Sequence, residues 1–220
     1  MEKIMKAAIL LLLALISFSI ASFYLNFSVY RALIKEDGCI EFTTAFLLCI
    51  TSFFIWIKVI KNHKTKSRLW IVFNVLMGVG LFFGFGEELS WGQRIFNLRS
   101  NEFFLENNLQ DEINIHNLSI NGIKLNKWIF TYLVSFVFGA YFFLSLIGYK
   151  KSKYIKQLVD KLGVPLPKVK HIATFAFLSI IIFMLPDDKK WELWECLFSV
   201  ILLSICIDPY NTREKLIRPA

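Results

Sequence analysis

Residues 69–94 read LWIVFNVLMGVGLFFGFGEELSWGQR. An uncharged, mostly apolar run, Leu69–Gly86, ends abruptly on Glu87-Glu88 and a polar, Trp-bearing turn. Its length is close to the about 20 residues an α-helix needs to cross the hydrocarbon core of a bilayer. Five other segments have the same character: Ala7–Phe27, Ile40–Ile57, Trp128–Tyr149, Ile172–Leu185 and Trp191–Ile207. The fifth span in chain order, Ile172–Leu185, is short and needs Lys168 and Lys170 to snorkel or the bilayer to thin. A re-entrant hairpin around Pro186 is the competing reading of the last two segments.

Composition supports a membrane origin for this pattern. Of 220 residues 56% are hydrophobic and 23 are Phe, against the about 45–50% apolar content of a soluble domain. That excludes a disordered chain, a secreted disulfide scaffold and nearly all cytosolic enzymes. The net charge of +8 does not point to nucleic acid, because the basic residues are parcelled between apolar segments. The expected fold class is all-α: a polytopic helix bundle of about six transmembrane helices forming one domain over residues 1–220.

Charge distribution orients it. With the N-terminus cytoplasmic, the inner segments Met1–Lys6, Lys58–Arg68, Lys150–Lys170 and Asp208–Ala220 hold 17 of the 25 Lys and Arg, whereas 13 of the 17 Asp and Glu fall outside. The Lys/Arg bias places both termini in the cytoplasm, and the reading as a whole is a bacterial inner-membrane protein. A cleaved leader is the alternative at the N-terminus, since Ser19-Ile20-Ala21 follows a basic start and an apolar run. The acidic excess outside is not demanded by the orientation rule and is the first sign of function.

Small and polar residues form seams on the spans. Glu41, Thr44, Ala45, Leu48 and Ser52 share one helical face while Phe42, Phe46 and Phe53 fall elsewhere. Gly80 and Gly84 form a GxxxG pair suited to close helix approach. Glu192, Glu195 and Ser199 line the last span. Carboxylates inside a span are expensive and should face a cavity, a partner charge or a cation.

Residues 87–127 make an outer loop too long for a plain connector, read as a lid with a short helix that begins at Asn101 and is capped by Ser100. The cytoplasmic counterpart is the basic loop 150–170. Within the lid, Glu112 and His116 are four apart, on one face if the segment is helical. A carboxylate with an imidazole suits acid–base catalysis or a divalent metal site. Candidate catalytic residues are Glu88, Glu112, His116 and Arg94. Candidate ligands for a divalent metal are Glu41, Glu88, Glu112, His116, Glu192 and Glu195. The bland alternative is a structural network of ion pairs and hydrogen bonds that holds the lid.

Two resemblances follow from these motifs. Glu87-Glu88 followed by Arg94 is similar to the first motif of the membrane-embedded CAAX-protease and bacteriocin-processing family. Arg94 stands two positions further along than in that motif, Glu112 replaces the Phe that precedes the family's His by four, and a second outer His motif is missing, so the proteolytic activity is not carried over. The combination of Glu36-Asp37-Gly38 and Glu41, Glu-Glu-x-Ser-Trp-Gly-Gln-Arg at 87–94 and Gln-x-Glu-x-x-x-His-Asn at 110–117 resembles a pattern in bacterial multi-pass membrane proteins with no assigned activity. It implies location and supplies no reaction. From the residues themselves, the expected function is an outer-leaflet-facing membrane enzyme, a hydrolase or transferase acting on a lipid-linked substrate. The alternative is a non-enzymatic subunit, scaffold or cation-binding conduit. The partners expected are the lipid bilayer and a lipid-linked substrate.

Overall fold

A computed structural model describes residues 2–115, 117–120, 123–124 and 135–211. These residues are overwhelmingly helical. Three helical stretches are long and apolar enough to cross a membrane: Lys6–Leu25, the stretch within Phe27–Asn62, and Arg68–Glu88.

Helix α1 (Glu2–Leu25) gives way to α2 (Phe27–Ile34) at Asn26, whose side chain accepts from the Val29 amide and starts a new helix. After a turn at 35–38 the chain enters α3 (Cys39–Asn62) and then α4 (Arg68–Glu88), which pack along each other. The seam face of α3 is the buried one: Thr44, Ala45, Leu48 and Ser52 are covered, while Phe42, Phe46 and Phe53 are exposed.

The close approach between α3 and α4 is at Gly78, not at the GxxxG pair. A Cβ on Gly78 would lie 2.2 Å from the Trp56 indole nitrogen, and Ser52 Oγ donates to the Gly78 carbonyl at 2.8 Å. Among the described residues, a Cβ on Gly80 would meet nothing within 4 Å, and one on Gly84 only Leu48 at 3.4 Å. Spacing alone does not say which glycine faces the partner helix; the indole on α3 decides it.

Within the loop, α5 (Glu102–Asn107) is capped by Asn101, one residue later than the Ser100 cap expected from sequence. The strands β1 (Ser119–Ile120) and β2 (Ile123–Lys124) pair antiparallel. The outer part of the fourth expected span lies outside the described residues. Its remainder runs through α6 (Ser135–Gly139), a π-helical turn at Ala140–Leu144 and α7 (Ser145–Lys151). The basic loop contains α8 (Lys153–Leu162), which packs on α4, where Asn74 Nδ2 donates to the Leu162 carbonyl at 2.9 Å.

Helix α9 (Val169–Phe183) is apolar but only 15 residues long. Through Pro186 it leads to α10 (Lys190–Ile207), which packs against α9, α3, α1 and α2. Leu193 and every residue from Cys196 to Cys206 are buried, as expected of a helix apolar on all sides at the centre of a bundle. The four cysteines are free thiols. This arrangement brings the ends of α3 and α4 and the first turns of α10 to one end of the bundle, where the loop after Glu88 covers them.

Candidate functional site

The loop is knotted by its own side chains. Immediately after α4 the backbone turns through Ser90, Trp91 and Gly92, all at positive φ. That reversal lays the Trp91 ring on Gly86, where a Cβ would come within 2.7 Å of it. Trp91 Nε1 donates to Glu87 Oε1 at 2.8 Å, and Glu87 Oε2 accepts from the Ile115 amide at 2.6 Å. Gln93 Oε1 accepts from the Ile113 amide at 2.6 Å, while its Nε2 donates to Ser100 Oγ. Asn108 Oδ1 accepts from the Glu112 amide, and its Nδ2 donates to Asn114. Buried polar groups must be paired, and here they pair with one another.

Glu112 is the hub of this knot. Its Oε2 accepts from Ser90 Oγ at 2.8 Å and from Asn114 Nδ2 at 2.6 Å, with Asn117 Nδ2 at 3.4 Å; its Oε1 lies 2.5 Å from an Arg94 nitrogen. Arg94 also bonds Asp37 at 2.7 Å and sits 3.8 Å from Glu41. It therefore ties the loop to the turn before α3, where Glu41 Oε2 accepts from the Asp37 amide. Partial burial opposes the charge on Arg94, but Glu112, Asp37 and Glu41 together hold its guanidinium above its ordinary pKa.

The segment 111–115 is not helical, and Asp111 has positive φ. The Asn108–Asn114 bonds hold this segment as a loop in place of the helix on which Glu112 was expected to share a face with His116. His116 lies outside the described residues.

A second carboxylate group sits beside this knot. One oxygen each from Glu88, Glu192 and Glu195 lie within 4.8 Å of one another. Among the described residues, none donates a hydrogen bond to Glu88 or Glu192. These side chains line a pocket of about 260 Å³ at the meeting of α3, α4, α10 and the loop. Seven carboxylates border it, the others being Glu36, Glu41, Glu112 and Asp188, against two bases, Arg94 and Lys189. Arg94 is bound as described, and Lys189 pairs with Glu36 at 3.0 Å.

The sequence-predicted residues thus divide. Glu112, Arg94 and Glu41 are joined in one ion-pair network, and Glu88, Glu192 and Glu195 form another cluster facing the same pocket. Sequence reasoning missed the parts of Ser90, Gln93, Asn108 and Asn114, although the density of Asn and Gln between 107 and 117 was a signal for such a knot. No family model, curated protein or solved structure matches the chain.

The donor set bears on the metal question. Three carboxylate oxygens suit a hard, oxygen-seeking cation such as Mg²⁺, Ca²⁺ or Mn²⁺ rather than Zn²⁺, which favours His and Cys. Glu41 and Glu112 belong to the Arg94 network and stand apart from that triplet.

Proposed function

We propose that the chain is a six-span inner-membrane protein with both termini in the cytoplasm, and that its acidic pocket opens at the outer leaflet as the active site of a hydrolase or transferase acting on a lipid-linked substrate. The observation that carries this reading is the convergence of Glu88, Glu192 and Glu195 in a pocket where Glu41 and Glu112 are engaged by Arg94 and Glu36 by Lys189. In a membrane protein, carboxylates clustered at the end of apolar helices and facing a pocket are a functional signal.

In this reading Glu88 acts as general base toward a water or acceptor hydroxyl. Glu192 and Glu195 hold the positive charge that keeps the cluster together, either a cationic substrate group or a divalent cation. A cation bound there would polarise the scissile phosphoryl or acyl oxygen. Arg94 and Glu112 position the lid.

The test is conversion of lipid head groups in proteoliposomes made with an inner-membrane lipid extract, followed by mass spectrometry. Wild type should change at least one lipid species, and Glu88→Gln should abolish that change while Glu102→Gln preserves it. Identical lipid profiles with wild type and with empty liposomes sink the enzyme reading. Orientation is checked by cysteine labelling: with the native thiols replaced, a membrane-impermeant maleimide should reach Glu102→Cys in intact spheroplasts and Lys153→Cys only after lysis.

The carboxylate surplus also favours a second reading, a cation-binding subunit without catalysis. It predicts a stoichiometric divalent metal in detergent-purified protein, lost in Glu192→Gln, with no lipid conversion.

A further inference from the structure

The acidic pocket shares a wall with an apolar groove. Trp191, at the start of α10, borders both. The groove, about 440 Å³, runs between α9, α10 and the helix through α6 and the π-helical turn, and its walls are mainly Phe138, Phe143, Phe175, Phe183, Trp191 and Trp194. Trp194 Nε1 donates to Ser179 Oγ at 3.1 Å, which removes its polar atom from the groove and ties α9 to α10. Gly139 leaves room along one wall, since a Cβ there would meet nothing within 4 Å among the described residues. An aromatic trough therefore lies next to a cavity bordered by seven carboxylates and two bases, with Trp191 between them.

We propose that groove and pocket are one binding site for an amphiphile with a cationic, amine-bearing head group: the ammonium lies against Glu88, Glu192 and Glu195, and the hydrocarbon chain lies in the groove past Trp191. The assignment rests on the membrane-enzyme reading above and adds the substrate class. Charge complementarity selects the head, because an anionic head would meet an excess of carboxylates in a low-dielectric cavity. The groove selects the tail, because an apolar trough opening toward hydrocarbon takes a chain without desolvating any polar group. Trp191 stands where the two chemistries meet, as aromatic residues do at the membrane interface.

The full-length protein is tested in phosphatidylglycerol nanodiscs containing trace phosphatidylethanolamine with a photoreactive diazirine in one acyl chain. Crosslinks are mapped by mass spectrometry, with a phosphatidylglycerol probe bearing the same chain as comparison. Crosslinks from the amine-headed probe should concentrate on α9 and α10 around Phe175 and Trp194. They should exceed those of the comparison probe by about tenfold, the value of one or two charge-assisted contacts. Gly139→Leu, which fills open space in the groove, should remove most of this labelling. The double variant Glu192→Gln/Glu195→Gln should erase the preference for the amine head and leave the position of residual crosslinks unchanged.

Equal labelling by the two probes overturns the proposal, and so does labelling spread evenly over outward residues such as Phe46 and Leu76. Labelling needs no turnover. Concentrated crosslinks without lipid conversion therefore refute catalysis alone, and lipid conversion without concentrated crosslinks refutes this assignment alone.

Discussion

Replacing Glu112 by Ala should unlock the loop. Glu112 is 7% exposed, and its two oxygens take hydrogen bonds from the buried Ser90 and Asn114 side chains as well as the Arg94 pair. Each buried donor left without a partner costs about 1–3 kcal/mol. The Arg94 pair, whose guanidinium stays partly in solvent, adds about 1 kcal/mol at most. A local destabilisation of about 3–5 kcal/mol follows, with Glu112→Gln milder because it keeps one acceptor. Native-state hydrogen exchange in detergent reads this directly through the Ile113 and Ile115 amides, which bond Gln93 and Glu87. Their protection should fall by about a hundredfold to a few thousandfold. Glu88→Gln, which removes none of these bonds, should leave the same amides unchanged. A change of less than about threefold in Glu112→Ala refutes the account of Glu112 as the hub.

Three further outcomes follow from other parts of the fold. Gly78→Ala should lower the thermal unfolding midpoint by forcing Trp56 aside, at about 1–3 kcal/mol. Gly80→Ala, with open space around it, should be neutral or stabilising by about 0.5–1 kcal/mol; equal losses in both would restore the GxxxG pair as the contact. At the opposite end of α10 from the acidic pocket, partial burial pushes the Asp208 carboxyl up, but its bonds to Lys168 and Lys170 outweigh this and hold it below the usual carboxylate range. A depressed native pKa gives stability that is present above the unfolded-state value and lost as pH falls through the native value. Asp208→Asn should therefore lower the unfolding midpoint at neutral pH, with the gap to wild type closing as acid protonates the wild-type group; a gap constant with pH contradicts this.

The α3 seam was legible because it obeys one period: Thr44, Ala45, Leu48 and Ser52 recur at helical spacing on an otherwise Phe-rich surface. The central place of α10 was not, because Lys190, Glu192 and Glu195 dilute its first turns and make a largely enclosed helix resemble a weaker apolar segment. For the site, the carboxylates at the ends of α4 and α10 could be read from their position beside apolar runs. The Glu112–His116 spacing implies a shared face only on a helix, and the Asn108–Asn114 bonds with the left-handed Asp111 make 111–115 a loop, while His116 lies outside the described residues. Which acids serve the scaffold and which face the pocket depends on contacts between Ser90 and Glu112 or Asp37 and Arg94, far apart in sequence, that no local pattern reveals.

That division among the acids is the claim on which the functional account stands. Carbodiimide coupling of a small amine to the folded, detergent-solubilised protein, mapped by mass spectrometry over time, tests it most directly. Glu88, Glu192 and Glu195 should be modified while Glu87 and Glu112 stay unreacted until the protein is unfolded. Modification of Glu112 as fast as Glu88 in the folded protein would contradict it.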